Sequence, residues 1–204
     1  MAKSLLDRRA FLKDASALTV SAALAASGAS AGASVAPAQG RRISAVLFDG
    51  RYSCCREFAN SLTQKGAIAF NVYSDVAALW HGPLRDRLTK HGGCVAGLTA
   101  HSDLTVSRSF GREFRLALRY EGAHDSRGAQ VIAHRLRAPV RIDHIASALQ
   151  CADVDWSESL ANAMARILWQ QSTAQWESSV AQTSAHGDHP GFLSSWLLAP
   201  PEKV

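Results

Sequence analysis

Four short stretches hold the residue types that bind ions and move protons. Asp49-Gly50-Arg51-Tyr52-Ser53 places a carboxylate, a guanidinium and two hydroxyls within five positions. Tyr73-Ser74-Asp75, His101-Ser102-Asp103 and Glu121-Gly122-Ala123-His124-Asp125 follow further along. Arg with His offers charge-assisted hydrogen bonds to a carboxylate or phosphate. His beside Asp is the natural proton-transfer pair near neutral pH. The ligand-binding candidates are therefore Asp49, Gly50, Arg51, Tyr52, Ser53, Ser74, His101, Ser102, Glu121 and His124. The acid–base candidates are His101 and His124 with Asp49 and Asp103. Taken singly, Ser and Asp also read as helix caps and Gly as a turn residue. What sets the group apart is that each stretch ends an apolar run.

Those runs define the scaffold. Ile43–Phe48 reads as a buried first strand. Cys55, Phe58, Ala59 and Leu62 follow at i, i+3, i+4 and i+7, the spacing of a helix with one buried face. Ala67–Tyr73 is a second strand, after Gly66 closes the helix. Asp75 is placed to cap a short helix, and Pro83 suits the first turn of the next. Cys94–Ala100 is a third strand, leading to a helix capped by Ser102 or Asp103. Arg115–Tyr120 is a fourth, alternating in polarity as a less buried strand does. Gln130–Arg137 is a fifth, and Asp155 with Glu158 resembles a capping box. The tail, residues 172–204, is irregular, with Trp176, Phe192 and Trp196 to Leu198 packing back onto the domain.

Alternating strands and helices predict a three-layer α/β sandwich with a mainly parallel sheet of about five strands, of the flavodoxin-like or Rossmann-like kind. In such a sheet the four stretches converge on the carboxyl rim, where open α/β folds bind ligands. The alternation resembles half-domains of flavodoxin-like folds, including those of uroporphyrinogen synthases. That resemblance implies an architecture and assigns no residue a role.

Other motifs are weaker. Cys54 and Cys55 start a helix near Arg51 and Arg56, a setting that lowers a thiol pKa. Their spacing matches neither C-x-x-C nor a phosphatase loop, and Cys55 also falls on the apolar face. Four Cys allow three pairings, and a bridge from Cys54 to Cys94 or to Cys151 is open. His186-Gly-Asp-His189 is the only tightly spaced His pair, a weak metal candidate beside the reading as a solvated loop. Neither G-x-S-x-G nor G-x-x-x-x-G-K-[ST] nor G-x-G-x-x-G occurs, and no cofactor is expected.

The first 38 residues stand apart. Asp7-Arg8-Arg9-Ala10-Phe11-Leu12-Lys13 precedes a mildly apolar stretch, Ala15 to Ala26, and then Ala36-Pro37-Ala38. This order resembles a twin-arginine export signal: Arg8, Arg9, Phe11 and Leu12 match the motif, and Ala36 and Ala38 match a cleavage box. The motif's Ser is Asp7 here. The resemblance implies a signal peptide over 1–38, recognition by the twin-arginine translocation machinery and a periplasmic destination; the alternation of strands and helices makes 39–204 a single α/β domain with an irregular C-terminal extension. The apolar stretch falls short of the roughly 20 strongly apolar residues of a membrane span, so membrane contact is expected only through an uncleaved leader.

Composition narrows the function. Hydrophobic residues at 47 % and charged residues at 19 % describe a globular chain, not a disordered one. Of the formal charge of +5, the leader carries +2, and the remaining basic residues are scattered without aromatic interleaving. Nucleic-acid binding is not expected. Three readings remain. The first is an exported protein that binds a small anionic ligand at the rim or serves as accessory to an exported partner. The second is an enzyme using the acid–base candidates. The third is a thiol or redox protein built on Cys54-Cys55.

Overall fold

Ile43–Phe48 is almost wholly apolar and buried, and it forms β1 near one end of the sheet. It is flanked by two parallel partners, β2 (Ile68–Asn71) and β3 (Cys94–Thr99). Helix α1 (Ser53–Thr63) links β1 to β2. Helices α2 (Val76–His81) and α3 (Pro83–His91) link β2 to β3. Asp75 caps α2, its carboxylate accepting from the amides of Ala77 and Ala78 at 2.8 and 3.2 Å, and Pro83 opens α3. Helix α4 (His101–Gly111) follows β3 with Ala100 as its N-cap, so Ser102 and Asp103 lie inside the first turn and do not cap it. The computed structural model describes residues 41–201 apart from 74, 127–130, 153–154, 174 and 185–188. The export-signal residues Arg8, Arg9, Phe11, Leu12, Ala36 and Ala38 lie outside the described residues.

The rest of the sheet differs from the parallel one that the sequence predicts. Seven strands run in the order β2-β1-β3-β7-β4-β5-β6. Strands β4 (Ala117–Asp125) and β5 (Val131–Ala138) are antiparallel neighbours, as are β5 and β6 (Glu177–Ser184). Strand β7 (Phe192–Ala199) lies between β3 and β4, antiparallel to both. The sheet is therefore mixed. The physical reason lies in the connections: a parallel pair needs a long crossover, whereas β4 and β5 are joined by only a few residues. Strand β4 also runs on to Asp125 instead of stopping at Tyr120.

Despite this mixing, β1, β2, β3, β4 and β6 share one direction, and β5 and β7 oppose it. One rim thus gathers five carboxyl ends. On one face, α1, α5 (Asp143–Gln150) and α6 (Trp156–Ile167) bury Phe58, Ile145, Leu160 and Met164 against Tyr120, Leu136 and Leu197. On the other, α2, α3 and α4 bury Trp80, Leu84 and Leu104 against Leu47, Trp196 and Leu198. Beyond that cover, β5 and β6 alternate between buried and exposed residues, as a one-sided sheet must. Asp155 stands at the N-cap of α6 but makes no side-chain capping bond.

Trp196 shows how closely β7 fits. Its indole N–H donates to Thr99 Oγ1 at 3.2 Å, and its ring lies where a side chain at Gly97 would be. A Cβ at Gly97 would come within 2.2 Å of the indole carbons. Gly97→Ala is expected to destabilise the fold by about 1–3 kcal/mol through overpacking, read as a lower urea midpoint. An unchanged midpoint would contradict this packing.

Candidate functional site

The sheet has a switch point between β1 and β3. These adjacent parallel strands send their following helices to opposite faces, α1 to one core and α4 to the other. The crevice outside such a point is where open α/β sheets bind ligands. Neither helix start is capped by its N-cap side chain, Tyr52 for α1 and Ala100 for α4. Both helices have 11 residues, and their starts carry amide donors and positive potential.

Asp49 sits at the mouth, immediately after β1, with 2 % of its surface exposed. It accepts from the Arg51 backbone N–H at 3.1 Å, from Arg51 Nε at 2.9 Å and from Nη2 at 2.5 Å. Burial alone would push this carboxyl up. The Arg51 side-chain and backbone hydrogen bonds, with the guanidinium charge, overcome that and hold it below the usual carboxylate range. Arg51 engages Asp49 through Nε and Nη2, so the Nη1 edge is not used by this pair. The guanidinium also lies 5.4 Å from the Tyr52 ring centroid and 5.5 Å from that of Tyr73. The cation is thus held in place while half-exposed to solvent. Asn71, at the end of β2, accepts from the amides of Gly50 and Tyr73 through Oδ1 and fixes the two loops together.

Asp103 belongs to the same crevice. Burial first, and then the charge of Asp49, push its carboxyl up against the pull of Arg51. The two acids are thereby shifted in opposite directions, Asp49 down and Asp103 up. His101 is exposed on the rim, its Nδ1 3.3 Å from Ser194 Oγ and its ring edge-on to Phe192. Ser102 is exposed beside it, and Ser53 is half-buried at the start of α1. Ser74 lies outside the described residues.

His124 reaches the same rim in the chain but turns into the core. It is fully buried, with Nδ1 2.6 Å from His134 Nδ1 and Nε2 2.7 Å from Ser195 Oγ. His134 Nε2 lies 2.8 Å from Thr183 Oγ1, and Ser195 Oγ donates to Tyr120 OH at 3.2 Å. The Trp156 ring covers both imidazoles at 4.9 and 5.1 Å. Gly122 makes room for this cluster: a Cβ there would stand 2.5 Å from both Ser195 Oγ and Tyr120 OH. Gly122 and Glu121 are thus interior positions of β4, not rim residues. The sequence reading passed over Asn71, Tyr120, His134, Thr183, Ser194 and Ser195. A signal for one of them existed, because His124 and His134 lie on strands consecutive in the chain, which pair as a hairpin with these two residues opposite each other.

None of Cys54, Cys55, Cys94 and Cys151 is in a disulfide; the first three are buried and Cys151 is exposed. Contact with Cys54 and then burial push the Cys55 thiol up, and burial pushes Cys94 up to about 12. At Cys55 the shift runs opposite to the activation that a helix start suggests. His186 lies outside the described residues, and His189 Nδ1 accepts from the Gly191 amide at 3.1 Å. Among the described residues, no three His, Cys, Asp or Glu side chains are grouped to hold a metal ion, and no helix is long and apolar enough to cross a membrane. Comparison with protein-family models, with curated proteins and with solved structures finds no match.

Burial gives the histidine pair a pH signature. It holds His134 down at about 4, helped by the charge of His189, and pushes His124 below its usual range, helped by the charges of His134 and His189. Between about 6.5 and 4 the unfolded chain takes up protons that the native state refuses. Stability therefore falls as pH drops through that window and is insensitive to these groups above it. For His134 the loss is on the order of 3 kcal/mol. Urea unfolding from pH 7.5 to 4 is expected to show a steeper loss for the natural chain than for His134→Gln. Equal slopes would refute the assignment.

Proposed function

We propose that this protein binds a small anionic ligand in the crevice between β1 and β3. The observation that carries the reading is Arg51, fixed by Asp49 and two tyrosine rings at a switch point, with its Nη1 edge not used by the carboxylate. Two helix starts without side-chain caps from the N-cap residue add amide donors on either side. His101 and Ser102 supply further polar contacts from the α4 side. Binding of inorganic phosphate, a phosphate monoester and a dicarboxylate by calorimetry tests it. At least one is expected to bind, and Arg51→Gln to weaken it about 10- to 100-fold, the loss of one charged hydrogen bond. Absence of binding by all three, or affinity indifferent to Arg51, would sink the reading.

A second reading is favoured by one observation, the opposed shifts of Asp49 and Asp103. Paired carboxyls of this kind are the arrangement of a general acid beside a fixed anion. In an enzyme, Asp103 would donate a proton to the bound ligand, with His101 exchanging it with solvent. Asp103→Asn then abolishes turnover and leaves affinity nearly intact, whereas in a pure binder it alters affinity alone.

The proposed place of action is the periplasm, reached by the twin-arginine route, where the protein serves alone or as accessory to an exported partner. Support comes from the motif around Arg8 and Arg9. Replacing both with Lys is expected to leave the protein in the cytoplasmic fraction. Continued export of that variant would remove the proposal.

A further inference from the structure

We propose that the amino rim of the sheet, at the far end from the crevice, docks on anionic lipid headgroups. Five strands share one direction, so their first residues gather at this rim. Arg41 and Arg42 lead into β1, Lys65 into β2, Lys90 into β3, and Arg112 and Arg115 into β4, all of them exposed. Arg108 in the last turn of α4 and Arg166 in that of α6 add to them. These cations are scattered along the sequence, and the fold collects them. The carboxyl rim is different in charge, with Asp49, Asp75, Asp103 and Asp125 beside Arg51 and Arg56.

Neighbouring acids do not cancel the charge of the amino rim. Among the described residues there, Glu113 is already paired with Arg85 at 3.2 Å and Asp143 with Arg141 at 3.5 Å. Asp86, one turn before Lys90, and Glu177, at the start of β6, are too few to answer the cations named. Helix dipoles account for Lys90, Arg108 and Arg166, which sit in last turns, but not for Arg41, Arg42 and Arg115.

Two indoles stand on the same rim. Helix α6 runs beside α1 toward it, with Ser157 donating to Glu57 and Lys65 to Asn162. Trp169 follows the end of α6 and is 64 % exposed. Thr173 then donates its amide to the Pro139 carbonyl just past β5. Trp176, 40 % exposed, leads into β6, with the Arg137 guanidinium 5.8 Å from its ring centroid. Exposed Trp among Arg and Lys suits a membrane interface, where the indole enters the headgroup layer and the cations meet lipid phosphate. A cavity of about 230 Å³ repeats the pattern locally, bordered by Arg108 and Arg112 beside Leu116, Leu118 and Leu198. Nucleic acid would use the same residue types, and the choice of lipid rests on the proposed export, which brings the chain to a bilayer. Docking by this rim needs no leader and leaves the crevice on the side away from the membrane.

The test mixes the full chain with vesicles of phosphatidylcholine, with and without phosphatidylglycerol, and reads co-sedimentation and Trp emission. Trp80, Trp156 and Trp196 are buried, so a blue shift reports Trp169 and Trp176. Phosphatidylglycerol is expected to strengthen binding and to bring the shift, and salt to weaken both. Replacing Arg41, Arg42 and Arg115 together by Gln is expected to cost about 100-fold in affinity for these vesicles, near fivefold per cation. Arg135→Gln, an exposed cation in mid-β5, is expected to change nothing, and Trp169→Ser with Trp176→Ser to abolish the shift. Urea midpoints recorded for each variant separate lost docking from lost folding. Binding that ignores phosphatidylglycerol, or that survives the triple replacement, would trace to the leader and overturn the proposal. So would an unshifted emission, or retention of single-stranded RNA or duplex DNA without affinity for vesicles. Export is read separately by the Arg8 and Arg9 replacement, so either proposal can fail alone.

Discussion

The insertion of β7 between β3 and β4 is the constraint on which the other features rest. Its side chains alternate between the two cores, Leu193, Ser195 and Leu197 toward one and Ser194, Trp196 and Leu198 toward the other. Through that alternation one strand supplies Ser194 to His101, Ser195 to His124 and the Trp196 indole to Thr99. A slip of one residue would exchange the two sets and place hydrophobic side chains against both histidines. The register is held by pairing along both edges and by the glycines at 97 and 122, which make room for side chains from β7.

Two polar constellations result, and their electrostatics are opposite in kind. The crevice at β1 and β3 is charged and meets solvent: it sets a guanidinium against one buried carboxylate, with a second acid nearby. The cluster around His124 is buried, and burial disfavours charge on its two imidazoles. Every imidazole nitrogen in it has a partner, which removes most of the penalty of burying polar groups. Charging either ring would break that balance, so burial works on these histidines and on Asp49 in different ways. Asp49 keeps its charge because Arg51 answers it directly. The imidazoles give up theirs because no acid faces them within the chain of partners from Tyr120 to Thr183.

What the sequence made legible follows the range of the interactions. Asp49 and Arg51 are two residues apart, and their strand-to-helix setting is local, so their meeting could be anticipated. Asp103 joins them because β1 and β3 are parallel, which the apolar runs also indicated. Strands β6 and β7 were not legible. Glu177–Ser184 has a single large aliphatic residue, Val180, and that one faces solvent. Phe192–Ala199 reads as an apolar tail, since a strand buried on both faces has no alternation to betray it. Missing β7 hides its antiparallel pairings with β3 and β4, and missing β6 hides its antiparallel pairing with β5. The partnership of His124 with Ser195 spans 71 positions, and nothing in the intervening chain signals it.

The place of β7 also orders events in time. It is the last strand in the chain yet occupies the middle of the sheet, and its contacts with Thr99 and Tyr120 close loops of 97 and 75 residues. Until it arrives, β3 and β4 each present a bare edge able to recruit a foreign strand. Contacts of such long span make folding slow compared with helical proteins of similar size. Because β7 is the last of the described strands to be synthesised, the two groups of strands that it joins cannot be united into one sheet until the chain is nearly complete.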